Sequence, residues 1–285
     1  MADPLRKAIL TEYAAPLATK WQDSKPSKTL DTHLSNSDFV TTVALQLGVD
    51  VAEEVGDCPF CGEVMDTRGI HAMSCTCGGD AVAQHNSVRD EVFEWCKRAR
   101  LHPDLEKAGL LHRLGTPEQR RRPADVLVCA RASFLANLPG ERSLVEGHKV
   151  ALDFTVINAL GQGHRTETLE GQLVAATRYS KKKCDYLDTQ RKCAEEGIAF
   201  EPMVFTCQGG VERRAAAILH RIAECVAAAE EKEIETVKGE MRQRLSILVA
   251  RGNARAVRRR GPVTSSIVYK VGRWRATAEL LDEAA

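Results

Sequence analysis

Apolar positions recur along this chain in three rhythms, and each predicts a different element. Over residues 37–47, Phe39, Val40, Val43, Ala44 and Leu47 fall at helical spacing, with Ser37 placed to cap the start and Gly48 to end the helix. A weaker version of that spacing covers residues 5–13. A longer helix is predicted over 84–100, where Val88, Val92, Trp95, Cys96 and Ala99 share one face. The rhythm then changes to unbroken, β-branched runs over 124–130 and 149–158, which read as buried strands. A short strand and turn over 105–114 precede them, and Leu138-Pro139-Gly140 marks the turn between them. A helix over 168–196 leads to a strand over 198–207, and Gly209-Gly210 introduces another long helix. Past about Ala228 the chain is charged and helical, with breaks expected at Gly252-Asn253 and Gly261-Pro262. The order α-β-β-β-α-β predicts a mixed α/β sheet flanked by helices. It divides the chain into a helical lead-in (1–57), a cysteine-rich segment (58–83), an α/β core (84–228) and a charged, basic helical extension (229–285).

Two aspartates interrupt the strand runs. Asp125 sits in Arg122-Pro123-Ala124-Asp125-Val126-Leu127-Val128, and Asp153 in Val150-Ala151-Leu152-Asp153-Phe154-Thr155-Val156. A buried ionised carboxylate is costly unless a cation or donor meets it. Either alone reads equally well as a strand-end cap or an arginine partner. Two of them on consecutive strands point to a shared Mg²⁺ or Mn²⁺, an oxygen-seeking cation that can activate water against a phosphodiester. The Phe154 carbonyl is the natural backbone ligand, and Glu91 or Asp90 on the preceding helix is a candidate third acid. Thr155 stands where an Asp-x-Lys pattern would carry its lysine. Lys182, four residues before Tyr186, is the candidate to reach in from the following helix, with Lys181 and Lys183 as alternatives.

Upstream, Cys58-Pro59-Phe60-Cys61 and His71-Ala72-Met73-Ser74-Cys75 have the spacing of a four-ligand structural zinc site. Cys77 could stand in for Cys75, and His85 for His71. Ten cysteines in a 285-residue chain without a signal-like start argue against a disulfide framework. No apolar run approaches the roughly 20 residues that span a bilayer. These features predict a soluble, intracellular protein with no membrane role. The net charge of +1 conceals basic clusters at Arg120-Arg121-Arg122, at Lys181-Lys182-Lys183 and over 251–275, which suit a polyanion.

Taken in order, these motifs resemble a known family. The segment from Cys58 to about Gly210 is similar to the restriction-like endonuclease domain of site-specific non-LTR retrotransposon polyproteins. That family carries a CCHC knuckle, an Arg-His-Asn motif, a Pro-Asp motif, a second Asp on the next strand and a Lys-x3-Tyr helix. Here these fall at Cys58, Cys61, His71 and Cys75, at Gln84-His85-Asn86, at Pro123-Ala124-Asp125, at Asp153, and at Lys182 with Tyr186. Gln84 replaces the arginine, Ala124 separates Pro from Asp, and no Tyr-x-Asp-Asp polymerase string occurs. The resemblance implies a PD-(D/E)xK restriction-endonuclease-like core and metal-dependent nicking of DNA in the nucleus. Asp125 and Asp153 would hold Mg²⁺ or Mn²⁺, Glu91 would assist, Lys182 would sit near the phosphate, and Zn²⁺ would be structural. DNA is the expected partner, with the RNA of a parent element as a second candidate. The competing expectation is a zinc-containing nucleic-acid-binding module that has lost cleavage.

Overall fold

The structure is a computed structural model that describes residues 4–111, 122–130, 132–139 and 149–261. Strands Asp104–Leu105 (β1), Val126–Cys129 (β2), Lys149–Ile157 (β3) and Ile198–Thr206 (β4) form one mixed sheet in that order. β2 runs antiparallel to β1 and β3, whereas β3 and β4 are parallel. The helices are Pro4–Tyr13 (α1), Asn36–Leu47 (α2), Ile70–Ser74 (α3), Asp80–Arg98 (α4), Arg165–Glu170 (α5), Val174–Asp185 (α6), Thr189–Glu195 (α7), Arg213–Glu230 (α8) and Ile234–Arg258 (α9). A parallel pair needs a crossover, and α5, α6 and α7 supply it between β3 and β4.

Alternation along β3 decides where chemistry can sit. Val150, Leu152 and Phe154 join β2, α4 and α8 in the main core, beside Val126, Val88, Trp95 and Ile218. On the other face, Ala151 packs with Cys184, Cys193 and Phe200, and Ile157 packs with Ala175, Ala176 and Val204. Asp153 falls between these two apolar patches, on the face covered by α6 and α7. β4 is buried along its whole length, and Pro202 is tolerated there because β4 is a sheet edge.

Several boundaries differ from expectation. Ser35 rather than Ser37 caps α2, accepting the Asp38 N–H at 3.1 Å, while Gly48 ends the helix in the left-handed region at φ 65°. α4 begins at Asp80. The helix expected over 168–196 is three helices, separated at Leu173 (φ 60°) and at Leu187 and Asp188 (φ 52° and 56°). Packing explains the division: α6 lays Ala175 and Ala176 on Ile157 and Val204, while α7 lays Cys193 among Ala151, Ile198 and Phe200.

The break expected at Gly252-Asn253 is absent. Gly252 lies against the Gln84 side chain, which a Cβ would meet at 2.9 Å. Asn253 accepts from Gln84 Nε2 at 2.9 Å and donates to the Cys207 carbonyl. These tertiary bonds outweigh the helix penalty of glycine, about 1 kcal/mol. The expected charged extension also contributes Val237, Met241, Leu245 and Val249 to the main core. Residues 112–114, Arg120, Arg121, Gly140, the break at Pro262 and the basic stretch beyond 261 lie outside the described residues. No helix among the described residues is long and apolar enough to cross a membrane.

Candidate metal and carboxylate centres

The cysteine segment folds around its own turns. The Cys58 N–H donates to Glu63 O at 2.8 Å, and the Gly62 N–H returns to Cys58 O at 2.9 Å. The Asp66 carboxylate accepts from the N–H groups of Arg68, Ile70 and His71, so it anchors the start of α3. One turn of α3 then brings His71 beside Cys75. The ligand atoms of Cys58, Cys61, His71 and Cys75 all lie within 4.8 Å of one another. Cys61 Sγ is 3.3 Å from His71 Nε2 and 3.7 Å from Cys75 Sγ. A tetrahedron with Zn–S and Zn–N bonds of about 2.3 and 2.0 Å has edges of roughly 3.5 and 3.8 Å, so the donor set fits zinc.

Charge favours a cation there. Burial raises the Cys58 thiol, but N–H groups of Phe60 and Cys61, with His71, bring it down to about 6. The Glu63 N–H lowers Cys61, yet burial and the neighbouring thiols push it up to about 11. Thiolates this close repel one another, and a cation held among them relieves that repulsion. The two substitutes weighed from sequence stand elsewhere: Cys77 is exposed and His85 turns to Asp125.

The end of α9 clamps this knuckle. Arg259 and Arg260 lie over the Phe60 ring at 4.8 and 5.0 Å. Buried Arg260 donates to Asp80 at 2.8 Å and to the carbonyls of Ala256 and Cys77 at 2.9 Å each. Asp80 further pairs with Arg255 and Arg259, while Arg251 pairs with Asp31 and Arg258 with Asp38. The described part of the basic stretch is thus engaged with the fold's own acids.

Asp125 and Asp153 converge at the sheet. The β2–β3 register, Val126 opposite Leu152, carries the chain to Asp125 beside Asp153. The Asp125 N–H donates to Leu152 O at 3.0 Å, off the regular ladder, and its Oδ2 accepts the Phe154 N–H at 2.7 Å. Lys183 Nζ donates to Asp153 Oδ2 at 2.6 Å, and His85 Nε2 lies 3.6 Å from Asp125 Oδ2. Burial raises the Asp153 carboxyl to about 6; Lys183 opposes that rise and Asp125 adds to it. Burial also lowers His85, more than the Asp125 charge lifts it. The Phe154 carbonyl accepts the Thr155 hydroxyl at 2.6 Å.

The other expected residues are distributed as follows. Lys183, not Lys182, meets Asp153, because one helical step rotates a side chain by about 100°. Lys182 lines the adjoining pocket, and Lys181 lies on the outer face of α6. Tyr186 follows the end of α6 rather than continuing its face. Glu91 turns to α9, where Arg244 forks onto both oxygens and Trp95 Nε1 donates at 2.7 Å, so it does not join the aspartates. Asp90 is half exposed and paired with Arg89. Gln84 is buried against α9, which leaves it structural.

An open pocket of about 450 Å³ adjoins Asp153 and Lys183, lined by Arg122, Pro123, Tyr179, Lys182, Tyr186, Thr189 and Phe200. Sequence reasoning missed Tyr179 and placed His85 as a spare zinc ligand and as part of the Gln84-His85-Asn86 motif, without setting it beside Asp125. The Gln-His-Asn string was the available signal for His85. No protein-family model, curated protein or solved structure matches the chain.

Proposed function

We propose that the chain is a metal-dependent DNA endonuclease that nicks its target by phosphodiester hydrolysis. In this reading residues 84–228 form a PD-(D/E)xK restriction-endonuclease-like core and the knuckle is a structural zinc module, as in the retrotransposon endonuclease domain the sequence resembles. One observation carries the reading: Asp153 and Lys183, bonded to each other, line a pocket that opens to solvent, and Asp125 is close enough to Asp153 to raise its carboxyl. Two carboxylates this close, one raised by burial and by its neighbour, form a donor set suited to a hard cation. Mg²⁺ or Mn²⁺ held by Asp125 and Asp153 would offset charge on the scissile phosphate and activate water.

The chain's own groups do the rest. Lys183 can turn its donors from Asp153 to a phosphate oxygen, neutralising charge that grows as the bond breaks. His85 and the Phe154 N–H hold Asp125 in its aim. Lys181 and Lys182 on the outer side of α6 offer positive charge for the DNA backbone, next to Arg178, which forks onto Glu170. A nuclear DNA target, with RNA of a parent element as a second partner, belongs to the same proposal.

The experiment is nicking of supercoiled plasmid with Mg²⁺ or Mn²⁺. The parent chain nicks, and Asp125→Ala, Asp153→Ala and the double variant each lose about 10³-fold or more, the double being little worse than either single. Metal-dependent nicking by Asp153→Ala near the parent rate overturns the reading. The Lys183–Asp153 bond at 2.6 Å favours a second reading, a zinc-containing nucleic-acid-binding module whose aspartates are merely satisfied. DNA binding without nicking by the parent chain would select it.

A further inference from the structure

We propose that the pocket beside Asp153 receives a nucleobase unstacked from its strand, so that this chain prefers DNA with an unpaired base over intact duplex. The inference rests on the nuclease reading for where the phosphate lies, and it adds a base-binding subsite to it. A paired base faces its partner across the helix and cannot enter a cavity that opens beside the phosphates; a base released from the stack can.

The pocket has the chemistry such a base needs. Tyr179 and Tyr186 supply aromatic surface, Pro123 and the edge of buried Phe200 an apolar wall, and Lys182, beside the Glu106-paired Arg122, positive charge for the flanking phosphates. Its volume, about 450 Å³, lies within the range of small-molecule sites. Tyr179 is held edge-on to His164, with ring centroids 5.9 Å apart. Tyr186 at the rim is 64% exposed, and its neighbour Leu187 is 55% exposed. A large exposed ring beside a cavity offers a face on which a base can stack. Beyond the rim, Lys181 and Lys182 line a second open depression together with Asp185 and the Glu170-paired Arg178.

The test uses the full chain and oligonucleotide duplexes carrying 2-aminopurine, either fully paired or inside a three-base bubble, without divalent metal. The bubble should bind roughly ten-fold more tightly than the paired duplex, with a change in 2-aminopurine fluorescence on binding. Tyr186→Ala should bring the ratio close to one, and Tyr186→Phe should keep it, because the ring stacks and the hydroxyl does not. Equal affinity for both duplexes, or a preference untouched by Tyr186→Ala, overturns the subsite. A retained preference and fluorescence change in a chain that never nicks with Mg²⁺ or Mn²⁺ would uphold the subsite and sink the nuclease reading instead. Absence of DNA binding overturns both.

Discussion

The knuckle and the carboxylate centre face opposite problems of charge. In the knuckle, three thiols and an imidazole crowd within 4.8 Å, and the neighbouring Arg260 directs its bonds to Asp80 and backbone carbonyls. Around Asp125 and Asp153 the fold supplies its own cation and donor: Lys183 on one carboxylate and the Phe154 N–H on the other, with His85 3.6 Å from the latter. The knuckle's ligands come from one short, self-folding segment. The carboxylate centre is assembled from α4, β2, β3 and α6 and stays open to solvent. On the proposed reading, a metal belongs to the fold at the first centre, whose donor set fits zinc, and visits the second. Substitutions should therefore cost stability in one place and chemistry in the other.

The largest effect is expected in the knuckle. Cys58→Ser should take zinc from one per chain to none by elemental analysis and lower the melting temperature by about 10 °C or more, because metal-binding energy there is folding energy. An unchanged melting curve in a zinc-free protein would erase the contrast. At the other centre, Lys183→Ala should slow plasmid nicking by about 10²-fold, and Lys182→Ala by less than about ten-fold, with little change in melting temperature for either. Reversed values would move the catalytic lysine back one helical step.

Glu91 separates the two kinds of cost within one helix. Glu91→Gln removes the charge that Arg244 pairs with, and should lower stability by about 1 kcal/mol while leaving the nicking rate unchanged, read by urea denaturation and the plasmid assay. The smallest effect lies away from both centres. Arg98, then Lys232, hold the Glu230 carboxyl down to about 2, against an ordinary value of 4.5. A depressed folded-state value stabilises above the unfolded one and is lost as pH falls through the folded one. The stability gap between the parent and Glu230→Gln should thus be present at pH 6, up to about 1 kcal/mol at this half-exposed pair, and should close between about pH 4.5 and 2. A gap constant from pH 6 to pH 2 would show that this pair carries no charge-linked stability.

Much of this was legible in the sequence where ligands or apolar runs lie close along the chain. The Cys58–Cys75 spacing states the knuckle, and the runs around Asp153 and Met203 mark β3 and β4 almost to the residue. Legibility failed where rotation about a helix or a distant partner decides. Lys182 and Lys183 are neighbours in sequence yet point about 100° apart, and only the position of α6 on β3 selects between them. Glu91 and His85 lie on the same helix, but the docking of α4 against α9 turns Glu91 to Arg244 and leaves His85 at Asp125. Gly252-Asn253 reads as a break because its partners, Gln84 and Cys207, are remote in sequence.

The central claim, that the two aspartates form a visiting-metal site separate from the knuckle, is met most directly by Mn²⁺ titration of the zinc-loaded protein, followed by electron paramagnetic resonance. The parent chain should take up Mn²⁺ that Asp153→Ala does not, while both retain one zinc per chain. Equal Mn²⁺ uptake by the two proteins would contradict it.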